Sequence, residues 1–536
     1  MKAYQYFAEA LREHSFHTLF GLMGDANMQF IAHYVDALGG RYIASTHEAG
    51  AITMADGFHR ISGEVTVATV THGPGITNSV TALTEACRAR SQILVITGDT
   101  PSVRTWSQSI DIGAVVAPTG AGYERVFGAE SMVVDVARAV HRVRTEKRPV
   151  VLNLPYEIMQ QVIRPISANS GPKVAFVNPL PDMAALGRTL DIIVNSKRPL
   201  VLAGRGAVIS GAHEELIELS ELLGAPVATS LLGREFFDGD SLNIGIAGGL
   251  STRIASEAIA ASDCIIAFGA GLNRYTTDNG ALSVGKRIVQ IDIDPINIGL
   301  YTRVDEVLIG DARQVAGMIV ESLNEADFKG SGWGHRFAQR IADWTPESEF
   351  DGQSTDETVD VRTAVVQLDR VLPKDRNVVT DVGRFALAGW RYLRVSDPTR
   401  FTHMSNFGSI GLGLGAGIGA ALVDPTRLTV ALMGDGGFMM SVGEFTTAVR
   451  YRVPMLVVVL NDRAYGAETA KLHAHGESGT HSFIDWPDLA GLATAMGGRA
   501  MTVRSSSDFD RVTDLVAGLD GPALIDVRLE RTTDFS

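Results

Sequence analysis

The sequence contains almost no cysteine. Only Cys87 and Cys264 occur among 536 residues, far apart and each in an apolar setting. Such a pair excludes a disulfide framework and a cysteine-rich metal site, and it is typical of core thiols in a cytoplasmic protein. The chain also lacks an apolar stretch near the ~20 residues that span a bilayer, and its N-terminus lacks the apolar core of a signal peptide. We therefore expect a cytoplasmic protein with no membrane partner.

Basic runs are missing as well. The net charge is -14, and no Lys/Arg-rich segment offsets it, which argues against a nucleic-acid partner. With 45% hydrophobic and 20% charged residues the composition is that of a globular protein, and the length favours about three domains.

Short apolar strands alternate with helical patterns along most of the chain, a rhythm that predicts parallel α/β domains. A Pro-, Ser-, Asn- and Gly-rich segment at 161–182 predicts a linker, and the polar segment 349–360 separates a further alternating set. We predict three parallel-sheet α/β domains, at residues 1–165, 180–330 and 360–536.

Two oxygen-rich turns follow strand-like segments in the last of these domains. The turn at 434–436, Gly-Asp-Gly, ends the run LTVALM, and Asn461-Asp462 end the run MLVVVL. Between them, Ser441 and Glu444 predict a capping box that opens a helix. A right-handed crossover brings both turns to the same sheet edge. Their oxygens suit a hard divalent cation, and the glycines allow close approach of a diphosphate.

This spacing resembles the thiamine diphosphate signature, GDG followed after about two dozen residues by an asparagine pair, of the family of acetolactate synthase, pyruvate oxidase and the 2-oxo acid decarboxylases. The resemblance implies Mg²⁺ held by Asp435, Asp462 and the carbonyl of Ala464. Aspartate at 462 departs from the usual asparagine and adds one negative charge. The other cofactor contacts that it implies here are Gly434, Gly436, Gly437, Tyr465 and Gly466.

Glu48 is the first candidate catalytic residue. Taken alone, a glutamate in the first turn of a helix favours the helix dipole. However, HEAGA followed by MADGFHR resembles the family's pyrimidine-binding segment. The resemblance implies that Glu48 hydrogen-bonds N1′ of the aminopyrimidine and promotes the imino tautomer, whose 4′-imine removes the C2 proton of the thiazolium.

The turn THGPGITN, residues 71–78, resembles the family's TSGPGxTN turn and implies cofactor contacts from Gly73, Pro74 and Asn78. His72 stands where the family often has a small residue. It either hydrogen-bonds within the turn or acts on the substrate or a proton. Gln108, in WSQSID, matches the glutamine of the synthases' FQE segment, which implies a hydrogen bond to a substrate carboxylate or carbonyl.

Two carboxylates resemble catalytic groups of the 2-oxo acid decarboxylases. Asp25 lies in a GxPGD-like segment, and Glu468 follows Asn461 by seven residues. Either residue is otherwise an ordinary surface residue of a turn or helix. If the two lie close together, their pKa values are pushed apart.

The segment from Ser405 to Gly415 resembles the family's GxMG segment. The resemblance places Ile410 under the cofactor as a stiff apolar wedge, with Ser409 beside it. The alternative is a glycine-rich segment for close helix packing. Gly383, in DVG, resembles a backbone contact near the pyrimidine.

His473, His475 and His481 lie within nine residues, but no cysteine accompanies them, and a polar lid is favoured over a metal site.

In the central domain Gly204 and Gly206 follow a strand, but Ile209 stands where a dinucleotide fingerprint needs its third glycine. Some members of the resembling family bind FAD in this domain, and FAD is the less favoured alternative here.

The resemblance implies decarboxylation of a 2-oxo acid and carboligation of the resulting enamine to an aldehyde or ketone, as in acetolactate synthase. Gln108 favours this reaction, whereas Asp25 and Glu468 favour simple decarboxylation. A thiamine-dependent C–C hydrolase or sulfoacetaldehyde-type acyltransferase is a further alternative, since the chain has GAETAKLH where acetolactate synthases tend to show a GMVxQWQ-like segment. A non-catalytic regulatory subunit is the alternative from another class, and Glu48 speaks against it. We expect a homodimer or homotetramer with active sites between subunits.

Overall fold

The computed structural model describes residues 1–102, 105–164 and 178–531. Within these residues, three sheets of six strands each are formed, and every strand pairing is parallel. Helices connect the strands. The predicted fold class, three parallel-sheet α/β domains, is therefore confirmed.

The first sheet contains β1 (Thr18–Gly21), β2 (Arg41–Ala44), β3 (Thr66–Thr69), β4 (Ile93–Asp99), β5 (Gly122–Arg125) and β6 (Val150–Pro155), in the order β2-β1-β3-β4-β6-β5. Its helices are α1 (Ala3–Glu13), α2 (Met28–Asp36), α3 (Glu48–Ser62), α4 (Pro74–Thr77), α5 (Val80–Arg88), α6 (Ile112–Val116), α7 (Met132–Glu146) and α8 (Tyr156–Met159).

The second sheet contains β7 (Pro199–Ala203), β8 (Val227–Thr229), β9 (Asn243–Ile246), β10 (Cys264–Phe268), β11 (Arg287–Asp292) and β12 (Glu306–Ile309), in the order β12-β11-β10-β7-β8-β9. Its helices are α9 (Met183–Val194), α10 (Arg205–Ser210), α11 (His213–Leu223), α12 (Arg253–Ala261), α13 (Ala312–Glu325) and α14 (Ala338–Ala342).

The third sheet contains β13 (Arg376–Thr380), β14 (Phe401–His403), β15 (Leu428–Gly434), β16 (Met455–Asn461), β17 (Arg499–Val503) and β18 (Pro522–Arg528), in the order β14-β13-β15-β16-β18-β17. Its helices are α15 (Val361–Val371), α16 (Ala386–Tyr392), α17 (Gly413–Ala421), α18 (Asp435–Ser441), α19 (Gly443–Arg450), α20 (Gly466–Ala474), α21 (Leu489–Ala495) and α22 (Val512–Val516).

The central strands are largely apolar because helices cover both faces of a parallel sheet. All six residues of β6 and all seven of β16 are buried. These continuous apolar runs made the strands recognisable in the sequence. The edge strand β5, GYER, has no such run and only one buried residue.

The chain divides into two compact units. One contains the first and third sheets, and the other contains the second sheet together with residues Trp390–Thr399. Within the first unit, α3 packs closely against α17. A Cβ atom at Gly57 would overlap the carbonyl oxygen of Ala416, and one at Gly419 would overlap that of Met54. Glycines on both helices therefore allow backbone-to-backbone contact between the first and third domains.

The exact domain boundaries stay a prediction. Most of the predicted linker at 161–182 lies outside the described residues, which end at 164 and resume at 178.

Both cysteines are free thiols, and burial raises the pKa of Cys87 to about 12 and that of Cys264 to about 11. No helix in the described ranges has the length and hydrophobicity needed to cross a bilayer. The cytoplasmic location stays a prediction.

Candidate active site

Two aspartates lie at the carboxyl edge of the third sheet. Asp435 directly follows β15 and begins α18, and Asp462 directly follows β16. Because β15 and β16 are parallel neighbours, with Gly434 opposite Leu460, their ends meet at one edge. The tertiary structure therefore brings the two predicted turns together.

Both carboxylates have raised pKa values. Burial, with the nearby charge of Asp435, raises the pKa of Asp462 to about 7, and burial raises the pKa of Asp435 to about 6. Oδ2 of Asp435 is buried and lacks a hydrogen-bond partner among the described residues. Trp486 and the Arg463 N–H lower the pKa of Asp435 somewhat, but the effect of burial is larger. Such a pair is stabilised by a cation.

The oxygen atoms at this edge fit a hard divalent cation. Oδ1 of Asp462 accepts a hydrogen bond from the Ala464 N–H at 3.0 Å. The backbone bonds on either side of Ala464 use the carbonyl of Arg463 and the N–H of Tyr465, so they leave the Ala464 carbonyl available. Carboxylate and carbonyl oxygens are the ligands that Mg²⁺ prefers.

These ligands would not complete a coordination shell by themselves. Across residues 1–102, 105–164 and 178–531, no group of three His, Cys, Asp or Glu side chains is placed to hold a metal ion. A cation bound by Asp435 and Asp462 therefore needs backbone oxygens and oxygens from a bound anion, as Mg²⁺ in phosphate sites commonly does.

Glycines lie where other groups of the third domain pack closely against the acidic turns. A Cβ atom at Gly436 would come within 2.6 Å of the Tyr465 ring, and one at Gly466 within 2.6 Å of Oδ2 of Asp462. At Gly437 an added Cβ would overlap the carboxylate of Asp381. The glycines therefore let backbone and side chains approach each other closely where the sequence predicts a diphosphate.

Ser409 and Ile410 lie in the irregular segment that joins β14 to α17. Gly408 and Gly411 flank them with φ values of 81° and 87°, in the left-handed region that favours glycine. The Gly411 N–H donates to Oδ2 of Asp381 at 2.8 Å, and Ile410 is half-buried. The first part of the glycine-rich stretch is thus a loop, and its second part, α17, is a packing helix. The role of Ile410 as a wedge stays a prediction.

Glu48 begins α3 and is 8% exposed. The Asn78 side-chain amide donates to its Oε2 at 3.0 Å. Asn78 was a predicted cofactor contact, and its observed contact in the chain is with Glu48. The two residues come from different turns at the carboxyl edge of the first sheet.

His72 and Gln108 form a second pair at that edge. Nε2 of His72 lies 2.8 Å from Oε1 of Gln108, and Nδ1 of His72 is buried with no hydrogen-bond partner among the described residues. Gly73 has a φ of 59°, and a Cβ there would come within 2.6 Å of the Gln108 carbonyl oxygen. The following Pro74 occupies the first turn of α4.

Asp25 and Glu468 are both exposed. Asp25 lies in the turn after β1, beside Ala26, whose N–H contacts the Thr71 hydroxyl at 3.4 Å. Glu468 lies in the first turn of α20 and pairs with Lys471 at 3.5 Å. The described structure records no contact between the two carboxylates, and their catalytic roles stay predictions.

The three histidines near Glu468 are exposed side chains on α20 and in the segment that follows it. His473 packs near Gly479, where an added Cβ would come within 2.7 Å of its Nε2. They do not form a three-residue metal site within the part of the chain that the structure describes.

The predicted capping box of Ser441 and Glu444 is wrong. Helix α18 already begins at Asp435, and Val442 stands at the start of α19 without a side-chain cap. The Glu444 carboxylate instead accepts the backbone N–H groups of Thr46 and His47, each at 3.0 Å, just before α3. Gly50 leaves room for it, since a Cβ there would overlap Oε1 of Glu444.

Close packing accounts for Gly204 and Gly206 of the central domain. A Cβ at Gly204 would overlap the carbonyl oxygen of Gly269, and one at Gly206 would come within 2.7 Å of the Gly269 Cα. These contacts hold the turn after β7 against the end of β10.

The sequence analysis missed Asp381 and Arg384, and it assigned Glu444 to a capping box rather than to its contact with the first domain. Asp381 is the first residue of the DVG segment and directly follows β13, and that position was the available signal. Burial raises its pKa to about 6, and backbone donors led by the Gly411 N–H moderate that rise. Arg384 lowers the pKa of Asp462 somewhat, against the larger effects of burial and Asp435.

Comparison with known proteins matches the three sheets to three family models. Residues 1–115 match the thiamine pyrophosphate enzyme N-terminal TPP-binding domain, residues 186–319 match the central domain, and residues 381–527 match the C-terminal TPP-binding domain.

The chain is also similar along almost its whole length to curated proteins. It is 29% identical to a probable acetolactate synthase large subunit of Methanocaldococcus jannaschii, over 99% of this chain and 92% of that protein. It is 29% identical to the sulfoacetaldehyde acetyltransferase of Castellaniella defragrans, over 97% and 89%. It is 29% identical to the acetolactate synthase isozyme 3 large subunit of Escherichia coli, over 89% and 86%.

Proposed function

The chain belongs to the thiamine pyrophosphate (thiamine diphosphate) enzyme family, and on that premise we propose that it decarboxylates a 2-oxo acid and joins the product to a second carbonyl compound. The observation that carries the proposal is the pair of the buried Asp435 and the half-buried Asp462 at the edge of a TPP-binding domain. When bound, thiamine diphosphate supplies a carbon nucleophile and an electron sink for the decarboxylation.

Asp435, Asp462 and the Ala464 carbonyl would hold Mg²⁺, which in turn would bind the diphosphate. The unpartnered Oδ2 of Asp435 and the unused Ala464 carbonyl support this assignment. Gly436 and Gly437, in the first turn of α18, would present backbone N–H groups to the phosphate oxygens.

Glu48 would bind N1′ of the aminopyrimidine and control its protonation. Its burial at the start of α3 strengthens any hydrogen bond that it makes. Asn78 would keep the carboxylate oriented by donating to Oε2, which leaves Oε1 for the cofactor. Ile410, on the glycine-flanked loop, would be the apolar wedge beneath the cofactor.

His72 and Gln108 would contact the substrate. If Nε2 of His72 donates to the Gln108 oxygen, Nδ1 of His72 is an unpartnered acceptor, and the Gln108 amide nitrogen is left to donate to a substrate carbonyl or carboxylate. A neutral pair of this kind orients a second carbonyl without adding charge, which suits carboligation.

Simple decarboxylation is the alternative that Asp25 and Glu468 favour, and acyl transfer is the alternative favoured by the similarity to sulfoacetaldehyde acetyltransferases. Asp25 and Glu468 lie exposed on separate elements. We therefore keep carboligation as the proposal.

We propose no FAD in the central domain, because Gly204 and Gly206 serve close packing there.

We further propose a homodimer or homotetramer with each active site shared between subunits. The described residues show no hydrogen bond between the first-domain group of Glu48, His72 and Gln108 and the third-domain group of Asp435 and Asp462. A second subunit would supply the missing half of each site.

Two experiments test the proposal. A thermal shift of the purified protein with thiamine diphosphate and Mg²⁺ is expected, and its absence would refute the cofactor assignment. A panel of 2-oxo acids is then incubated in the presence of inorganic phosphate, with and without an aldehyde, pyruvate or sulfoacetaldehyde, and products are identified by mass spectrometry. A ligated hydroxy ketone or acetolactate-type product supports carboligation, whereas an aldehyde or an acyl phosphate as sole product refutes it.

A further inference from the structure

The segment between β14 and α17, residues 404–412, contains neither helix nor strand, and we call it the strap. It carries Ser409 and Ile410. Such a loop holds a side chain in place only if other groups fix its backbone. At its downstream end, Asp381 provides one fixed point by accepting the Gly411 N–H at 2.8 Å.

The upstream end is fixed by Glu85, which lies on α5 of the first domain. Its Oε1 accepts from the Asn406 side-chain amide at 2.8 Å, and its Oε2 accepts from the Phe407 backbone N–H at 2.6 Å. Glu85 is fully buried, so both bonds form away from water. One carboxylate therefore holds two consecutive residues of the strap.

A buried arginine holds Glu85 in turn. Arg60 on α3 donates to Oε1 of Glu85 at 3.1 Å, to both oxygens of Asp56 at 2.7 and 2.6 Å, and to the carbonyl of His403 at 2.5 Å. His403 is the last residue of β14, directly before the strap. Arg60 thus fixes both Glu85 and His403, the residue directly before the strap.

One guanidinium, that of Arg60, pairs with the two carboxylates of Asp56 and Glu85 in this cluster. Burial by itself would raise the pKa of Glu85, but Arg60 and the donors Asn406 and Phe407 outweigh it and hold that pKa below its ordinary value. Arg88, one turn along α5, lies over the Phe407 ring at 4.7 Å. Two residues of α5 therefore contact the strap: Glu85 through its carboxylate and Arg88 through its guanidinium.

We propose that Glu85 is a positioning residue that holds the strap so that Ile410 meets the bound cofactor. This role rests on the proposed function of Ile410. In the shared-site arrangement proposed above, the first domain of one chain contributes to two cofactor sites. Glu48 contributes to the site that contains the third domain of another subunit, and Glu85 contributes to the site of its own chain's third domain by holding the strap.

The test uses the full-length protein and the substitution Glu85→Gln. Calorimetric titration with thiamine diphosphate in saturating Mg²⁺ is expected to give a Kd about tenfold weaker than wild type, since charge-assisted bonds to the strap are lost. Hydrogen exchange of the cofactor-free protein is expected to speed up in residues 404–412.

Asp135→Asn is the matched control. Asp135 is a buried carboxylate of the same domain that accepts the Phe127 N–H and the Ser131 hydroxyl and pairs with Arg138. Its loss is expected to lower Tm as much as Glu85→Gln does but to leave the Kd and the exchange of the strap unchanged. A general loss of stability would move both variants alike.

Asn406→Ala serves as a second variant, because it keeps the Arg60–Glu85 ion pair and removes only one contact with the strap. It is expected to weaken cofactor binding in the same direction, and it decides the question if Glu85→Gln does not fold. Wild-type affinity in the folded variants overturns the role of Glu85 alone. A wild-type protein that binds no thiamine diphosphate overturns this role and the proposed function together.

Discussion

Nε2 of His72 and Oε1 of Gln108 lie 2.8 Å apart, although 36 positions separate the two residues in the chain. Each of the two side chains is oriented by its hydrogen bond to the other. The two therefore form one unit at the carboxyl edge of the first sheet.

This pairing predicts strongly non-additive effects on catalysis. We expect His72→Phe and Gln108→Leu each to lower kcat/KM by about 10²-fold for the best 2-oxo acid found, and the double variant to be little worse than either single one. A double-mutant cycle measures this. Independent, additive losses would show that the contact has no role in substrate orientation.

Glu48→Gln should stop cofactor activation while leaving cofactor binding nearly intact. Glutamine keeps the shape of Glu48 but cannot carry the charge, so we expect the C2 proton of bound thiamine diphosphate to exchange at least about 10²-fold more slowly. Asn78→Ala, which only frees Oε2 of Glu48, should slow exchange by about tenfold. Proton NMR of quenched samples measures the rates, and an unchanged rate in Glu48→Gln contradicts the assigned role.

The acidic pair predicts how the stability of metal-free protein depends on pH. Folding raises the pKa of Asp435 to about 6 and that of Asp462 to about 7, above the ordinary 3.8. Groups with raised pKa values stabilise the folded state at low pH, and that contribution is lost as pH rises from about 4 to about 7. Metal-free wild type should therefore lose more Tm between about pH 5 and about pH 8 than Asp462→Asn does.

Magnesium provides the complementary measurement. Since Mg²⁺ binds the ionised carboxylates, its stabilising effect on wild type should grow over the same pH interval. A wild-type protein with the same pH dependence as Asp462→Asn, with or without Mg²⁺, would contradict the coupling between the two aspartates.

Shared active sites predict complementation between inactive subunits. Glu48→Gln and Asp435→Asn should each be inactive alone. In mixed dimers one site carries both substitutions and the other carries neither, so purified mixed dimers should have about half of wild-type activity. Co-expression with two affinity tags and sequential purification provides the sample. No activity in verified mixed dimers would place both residues in one subunit's site.

Contact between α3 and α17 predicts a sensitive glycine. Gly57→Ala should destabilise the protein by about 1–3 kcal/mol, because the added methyl group overlaps the Ala416 carbonyl. Gly113→Ala in α6 of the same unit meets only contacts of 3.4 Å or longer and should be nearly neutral. Urea unfolding of the two variants measures the difference. Equal stabilities would mean that the two helices separate at little cost.

Several features were predictable because they depend on neighbours in the chain. The apolar runs of β15 and β16 predicted buried parallel strands, and the turns at Asp435 and Asp462 follow those strands directly. The helix that begins at Glu48 was recognisable in the same way. Adjacent parallel strands end at one edge, so the acidic pair followed from topology alone.

Contacts between distant segments were not predictable in this way. Ser441 and Glu444 have the spacing of a capping box, but Glu444 instead binds backbone N–H groups at the start of α3, some 400 positions away. Likewise, nothing near Glu85 in the sequence indicates that it holds Asn406 and Phe407.

The sequence by itself determined the three α/β domains and the acidic turns, because strand burial and turn chemistry are local properties, and its resemblance to a known family made Glu48 a candidate. Only the tertiary structure decided which buried carboxylates hold backbone from another domain. A buried carboxylate must find donors wherever the fold brings them, and sequence spacing does not record those donors.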